Sequence, residues 1–276
     1  MTVNFNKHGA KIESIYYDDL KIAENGFIAG RCANRVANAS FQLDGVTYSL
    51  NKNEGNNHLH GGSKGFGEID WTLADQTYNS ITFTLHSKDK DMGYPGNMDV
   101  TTKYTLDDEG ALSINVTAIS DKKTIFNPTN HLYMSLNGDY SSKKHKLQIL
   151  ADTYTEVGTN LIPTGNLPSV EGKKWDYRQL KTYVPGDKND VNLCTNDYEE
   201  GVVKKVAELQ GTTSGIKVEV SSDRPGLQLY NTDNSICLEA QHYPDAIHHQ
   251  DDENWPTVVL DANVEYSTTI VYKFSR

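Results

Sequence analysis

Cysteine is scarce in this 276-residue chain: Cys32, Cys194 and Cys237 lie far apart, with no Cys-x-x-Cys pair. An odd number so spaced argues against a disulfide framework or a thiolate zinc site, and for buried reduced thiols in a cytoplasmic protein. Basic charge is also in deficit, 26 Lys+Arg against 37 Asp+Glu, a net charge of −11. Such a chain repels polyphosphate and anionic lipid, so neither nucleic acid nor membrane is expected as a partner. No apolar run approaches the roughly 20 residues of a membrane span. The opening MTVNFNKHGAKI lacks the apolar core of a secretory signal. A Pro/Gly/Ser-rich linker, a block of like charge and an internal repeat are all missing, so residues 1–276 read as one domain. Sustained helical periodicity is absent too, and only Asp176 to Thr182 leaves room for one short helical turn.

What the chain does have is alternation. Hydrophobic residues at 37% and charged residues at 23% suit a globular core. Phe41 and Leu43, then Asp44-Gly45, then Val46, Tyr48 and Leu50 alternate around a hairpin signal. Val100, Thr102, Tyr104 and Leu106 lead through Asp107 to Gly110 into Leu112, Ile114, Val116 and Ala118, a second hairpin. Ile81 to Leu85, Lys217 to Val220, Leu227 to Tyr230, Ile236 to Glu239 and Tyr266 to Phe274 read as further strands. The fold class is therefore all-β, a large sandwich or barrel. The stretch Pro163 to Thr213, rich in charge and glycine and holding Pro168 and Pro185, reads as long loops.

Four places could carry chemistry. In Gly30-Arg31-Cys32-Ala33-Asn34-Arg35, the two arginines share one face if the segment is a strand, and either could fork onto hydroxyls or a carboxylate. Taken alone, each could equally be a solvated surface charge. In His58-Leu59-His60-Gly61-Gly62, the histidines again share one side if extended, which invites a metal reading. The carboxylate expected a few residues later is replaced by Ser63, Lys64 and Gly65, so satisfied loop histidines or a metal-free site stand beside it. His131, between Asn127-Pro128 and an apolar run, belongs at a strand end, half buried; packing alone would explain it. Glu239, inside an apolar strand, is costly there unless paired or used. Two histidines, an arginine and a desolvated glutamate suit proton transfer on a neutral polyol, but no one of them names a reaction.

Together the four resemble the aldose 1-epimerases, the galactose mutarotase family. The matching pieces, in order, are GRxxNR from Gly30, LHGG from Leu59, GYPG from Gly93, TNHxYxxL from Thr129, ADxY…IPTG from Ala151 to Gly165, and ExQxxPDA from Glu239. The resemblance implies a large antiparallel β-sandwich of the galactose-mutarotase type with an open sugar cleft and no metal or organic cofactor. It implies interconversion of α and β anomers of a free aldose such as glucose or galactose, or of a reducing disaccharide such as maltose. Carried across, Glu239 is the base on the anomeric hydroxyl and His131 the acid at the ring oxygen. His60 and Arg35 bind and polarise around that oxygen, and Asp190 and Gln228 contact sugar hydroxyls. The monosaccharide or disaccharide is the expected partner of a monomer or homodimer.

Three departures accompany the resemblance. The segment before Gly30 is short for the family, which leaves room for a cleft wall to be missing and a larger sugar to enter. The aspartate motif reads Asp190-Val191-Asn192, and the residues behind His131 are altered to Met134 and Ser135. The alternative is a catalytically quiet sugar-binding or sensor protein on the same fold. A sugar-phosphate epimerase would want a cation cluster that is missing, and a glycosidase would want a second carboxylate astride the bond. The acidic run His248 to Glu253 reads as a solvated loop.

Overall fold

Asp44 and Gly45 both adopt positive φ (50° and 75°), which only a primed hairpin turn requires, and they join the paired strands Ser40–Leu43 and Val46–Ser49. The computed structural model describes residues 1–184 and 188–276; Pro185, placed in a loop by the sequence reading, lies outside them. The second hairpin forms as its alternation demands, with Met98–Leu106 and Ala111–Ser120 in unbroken register from Met98↔Ser120 to Leu106↔Leu112. Its turn closes on the Asp107 carboxylate, which accepts the backbone N–H groups of Glu109 and Ala111 at 2.9 and 2.8 Å.

Two large antiparallel sheets face each other. The first has eight strands, in the order Thr2–Asn6, Lys11–Tyr17, Leu20–Ala29, Thr129–Met134, Ile236–Gln241, Gly226–Asn231, Asp190–Thr195 and Ala151–Tyr154. The second has nine: Lys181–Thr182, His145–Ile149, Lys204–Gly211, Lys217–Ser222, Tyr266–Ser275, Ala111–Ser120, Met98–Leu106, Ser80–Ser87 and Thr72–Gln76. One apolar core lies between them, with Leu227, Leu229 and Leu238 from the first sheet and Ile114, Val220 and Tyr272 from the second. Period-two alternation then turns every other residue of the first sheet away from this core. A second apolar cluster, including Cys194, Tyr94, Ile247 and Trp255, packs the loops that cover part of this outer face.

Three expectations need correction. Asp190–Thr195 and Lys204–Gly211 are full strands inside the stretch read as loops. Val191 and Leu193 do alternate with Asp190 and Asn192, but those outward residues are polar because they line a cleft, and charged neighbours obscure the pattern. The span Asp176 to Thr182 holds no helical turn; Lys181–Thr182 pairs as a short strand with Lys146 and Leu147. The run from His248 is not free loop either: Ala246–His249 forms a 3-10 turn, and His249 stacks on Trp255 at 4.0 Å. All three cysteines are buried and unpaired, as expected. Among the described residues, no helix is long and apolar enough to cross a membrane.

Candidate active site

Cross-strand register assembles the floor of the site. Asn192 sits opposite Gln228, and Gln228 opposite Glu239, so the three share the outer face of adjacent strands. His131 stands opposite Phe27 on the neighbouring pair. Its imidazole is sandwiched between the rings of Phe27 and Tyr133, at 5.0 and 4.8 Å, with Tyr230 edge-on at 5.8 Å. The histidine is mid-strand and 5% exposed rather than half buried at a strand end, because a bulge follows it and Tyr133 folds over it.

The two paired motifs separate instead of sharing faces. Arg31 is fully buried, donating to Ser87 Oγ and to the carbonyls of Pro95 (2.9 Å) and Gly96 (2.8 Å); it braces the loop that contains GYPG. Arg35 turns to the cleft, because residues 31–34 are a bent loop and not a strand. His58 is likewise structural, held between the Asn51 carbonyl and the Tyr94 hydroxyl, both at 2.7 Å. His60 turns the other way on a positive φ of 50°. That turn needs glycine next: a Cβ on Gly61, itself at φ +87°, would lie 1.6 Å from the Gly30 carbonyl oxygen.

All six candidates from the sequence meet around one space. His131 Nε2 is 3.4 Å from Glu239 Oε1, and the His131 and His60 rings are 5.4 Å apart. His60 neighbours Arg35 closely enough to feel its charge. Arg35 Nη1 donates to Asp190 at 3.2 Å, and Gln228 Nε2 donates to the other Asp190 oxygen at 2.5 Å. Gln228 returns the ring to Glu239. The buried side is Glu239 and His131; the open rim is Asp190, whose side chain is 23% exposed. Sequence reasoning missed two contributors. Glu54 forks onto Arg35 Nε and Nη2 at 2.8 and 2.7 Å, and Phe27 covers His131. Glu54 belongs to an irregular turn without periodicity; the one available signal was that a cleft arginine needs a carboxylate.

Curated proteins and solved structures set this arrangement in context. Residues 1–273 match the family described as aldose 1-epimerase. The aldose 1-epimerase of Escherichia coli K12 is 33% identical over 90% of this chain and 79% of that protein. The galactose mutarotase of Bos taurus is 35% identical over 91% and 78%, and the maltose epimerase of Levilactobacillus brevis 34% identical over 90% and 78%. The chain belongs to the aldose 1-epimerase family. Its fold superposes on an aldose epimerase homologue from C. elegans with a TM-score of 0.90, at 24% identity, covering 99% of this chain and 95% of the other.

Electrostatics in this aldose epimerase site follow from burial. Desolvation pushes Glu239 well above the usual carboxylate range, with the negative charge of Asp190 adding to it. Desolvation lowers His131 to about 4, and desolvation together with the charges of His131 and Arg35 lowers His60 to about 3. Burial thus disfavours the charged form of both members of the Glu239–His131 pair.

His60, His131 and Glu239 also present ligand atoms within 4.8 Å of one another, the geometry of a two-histidine, one-carboxylate metal centre. The hydrogen bonding opposes that use. The Asn34 backbone N–H donates to His60 Nδ1 at 3.2 Å, so a neutral His60 carries its proton on Nε2, the nitrogen a cation would need. Metal-binding histidines instead donate from their second nitrogen. The trio suits proton transfer.

Proposed function

We propose that this family member interconverts the α and β anomers of free aldoses, with the pyranose lying inside the six-residue ring. Its C1–O5 edge lies against Glu239 and His131, and its C3–C4 edge against Asp190 and Arg35. The observation that carries this reading is the buried imidazole–carboxyl pair at 3.4 Å. Ring opening removes a proton at O1 and delivers one to O5 as the C1–O5 bond breaks. Glu239 takes the first and His131 gives the second, so the proton count of the pair is unchanged. The sugar simply carries a proton from the imidazolium to the carboxylate.

The starting form is the charged tautomer, His131 protonated and Glu239 ionised. A polyhydroxyl ligand supplies the hydrogen bonds that burial denies that tautomer, including partners for Glu239 Oε2 and Gln228 Oε1, which are buried and unsatisfied in the protein itself. Rotation about C1–C2 in the open aldehyde presents the other carbonyl face, and reclosure runs the two transfers backwards. His60, protonated on Nε2 by its bond from Asn34, offers a neutral donor to the same oxygen as negative charge develops there. Asp190 and Gln228 hold hydroxyls on the far edge, and Arg35, bonded to Asp190 and Glu54, joins them there and not at the ring oxygen where the resemblance put it. Three unpaired, buried thiols fit a cytoplasmic setting.

Polarimetry on freshly dissolved α-D-glucose, α-D-galactose and β-maltose in chelator-treated buffer tests the reading. The expected result is faster relaxation to an unchanged final rotation. Binding without acceleration of any of the three sugars would replace it with the quiet sugar-binding protein.

A further inference from the structure

Behind Arg35 the cleft continues. Glu54 accepts two bonds from that arginine and also lines an open recess of about 390 Å³, whose other walls are Asn56, Asn57, Thr159, Asn160 and Leu161. Two turns face each other across it. Residues 54–57 close on reciprocal backbone bonds between Glu54 and Asn57. The other turn is held by Gly158 to Ile162 and puts Leu161, 36% exposed, at positive φ. Among the described residues, the side chains of Asn56, Thr159 and Asn160 make no hydrogen bonds within the protein.

Free amides, a free hydroxyl, an exposed leucine face and a single carboxylate describe a neutral, hydroxyl-rich ligand with one apolar face; an anion would meet Glu54. Position narrows the choice. A substrate whose anomeric centre reacts cannot be extended at O1, and a second unit carried on O4 leaves from the edge opposite C1–O5. That edge is held by Arg35 and Asp190, and Glu54 connects it directly to the recess. A second recess, beside Tyr133 and Tyr140, lies on the His131 side, where a free anomeric centre has no substituent to place.

We propose that the recess between residues 54–57 and 159–161 is a subsite for the non-reducing unit of a 4-linked reducing disaccharide, so that such sugars are preferred over the monosaccharide. This deepens the mutarotase reading and rests on it. The test follows anomer exchange of glucose and maltose by NMR, using the intact protein. The native protein is expected to show a KM for maltose about ten-fold below that for glucose, the effect of two or three added hydrogen bonds. Asn160→Trp and, from the facing turn, Asn56→Trp each fill the recess and are expected to lower the maltose-to-glucose ratio of kcat/KM by about ten-fold. Equal KM values for the two sugars, or a ratio unmoved by both variants, overturns the subsite while leaving the mutarotase standing. No acceleration of glucose or maltose by the native protein overturns both.

Discussion

The strand Ile236–Gln241 presents two faces that are equally buried and chemically opposite. Ile236, Leu238 and Ala240 point into the core, each at 0% exposure. Cys237, Glu239 and Gln241 point to the cleft side at 0%, 1% and 0%. Exposure alone does not separate core from active site. What separates them is satisfaction: the inward residues have apolar neighbours everywhere, whereas Glu239 Oε2 and both amide atoms of Gln241 are buried without partners. Unsatisfied polar groups cost stability in the free protein and are retained where a ligand or a proton makes use of them.

Substitutions one residue apart should therefore fail in opposite ways. Glu239→Gln keeps shape and burial but cannot accept a proton; kcat for mutarotation is expected to fall by about 10²–10⁴-fold while sugar affinity changes little. Equal losses in kcat and affinity would identify Glu239 as a binding group. Leu238→Ala removes a fully buried side chain from the core and is expected to cost about 2–5 kcal/mol in a denaturant titration. Its rate per folded molecule should match the native one. A large rate loss there would mean that the two faces are mechanically coupled.

The smallest effect is a pH slope. Folding raises the Glu239 value and lowers that of His131, whereas in the unfolded chain the carboxyl ionises at about pH 4.5 and the imidazole loses its proton at about 6.5. The raised Glu239 value thus makes the native state the better proton binder above pH 6.5, and stability falls as pH rises there. The expected difference between native protein and Glu239→Gln is about 1.4 kcal/mol per pH unit until the folded carboxyl itself ionises. Parallel stability curves from pH 6.5 to 8 would show that the carboxyl is already ionised in the fold.

Much of this architecture is legible in the sequence. Both hairpins and the strands carrying Gln228 and Glu239 announce themselves by alternation, and their turns by Asp44-Gly45 and Asp107 to Gly110. The strand Asp190–Thr195 was hidden because its outward residues are polar for the sake of the cleft, the same property that makes it useful. The direction of His60 was also illegible. A period-two rule puts His58 and His60 on one side, and it breaks because a left-handed residue followed by Gly61 and Gly62 reverses the chain. The partnership of Arg35 with Glu54 depends on where an irregular turn comes to rest, which local pattern does not encode.

The order of strands in the larger sheet has a consequence for how the molecule comes into being. One half is built from residues 72–120 and the other from residues 145–222, and in that sheet they are joined through Tyr266–Ser275, which pairs with Ala111–Ser120 on one side and Lys217–Ser222 on the other. Until that seam pairs, each half has one open edge. Such long-range closure is slow and leaves edges free to pair with other chains. A fragment ending before residue 266 would leave Ala111–Ser120 and Lys217–Ser222 as unpaired edges, the kind of surface that favours aggregation.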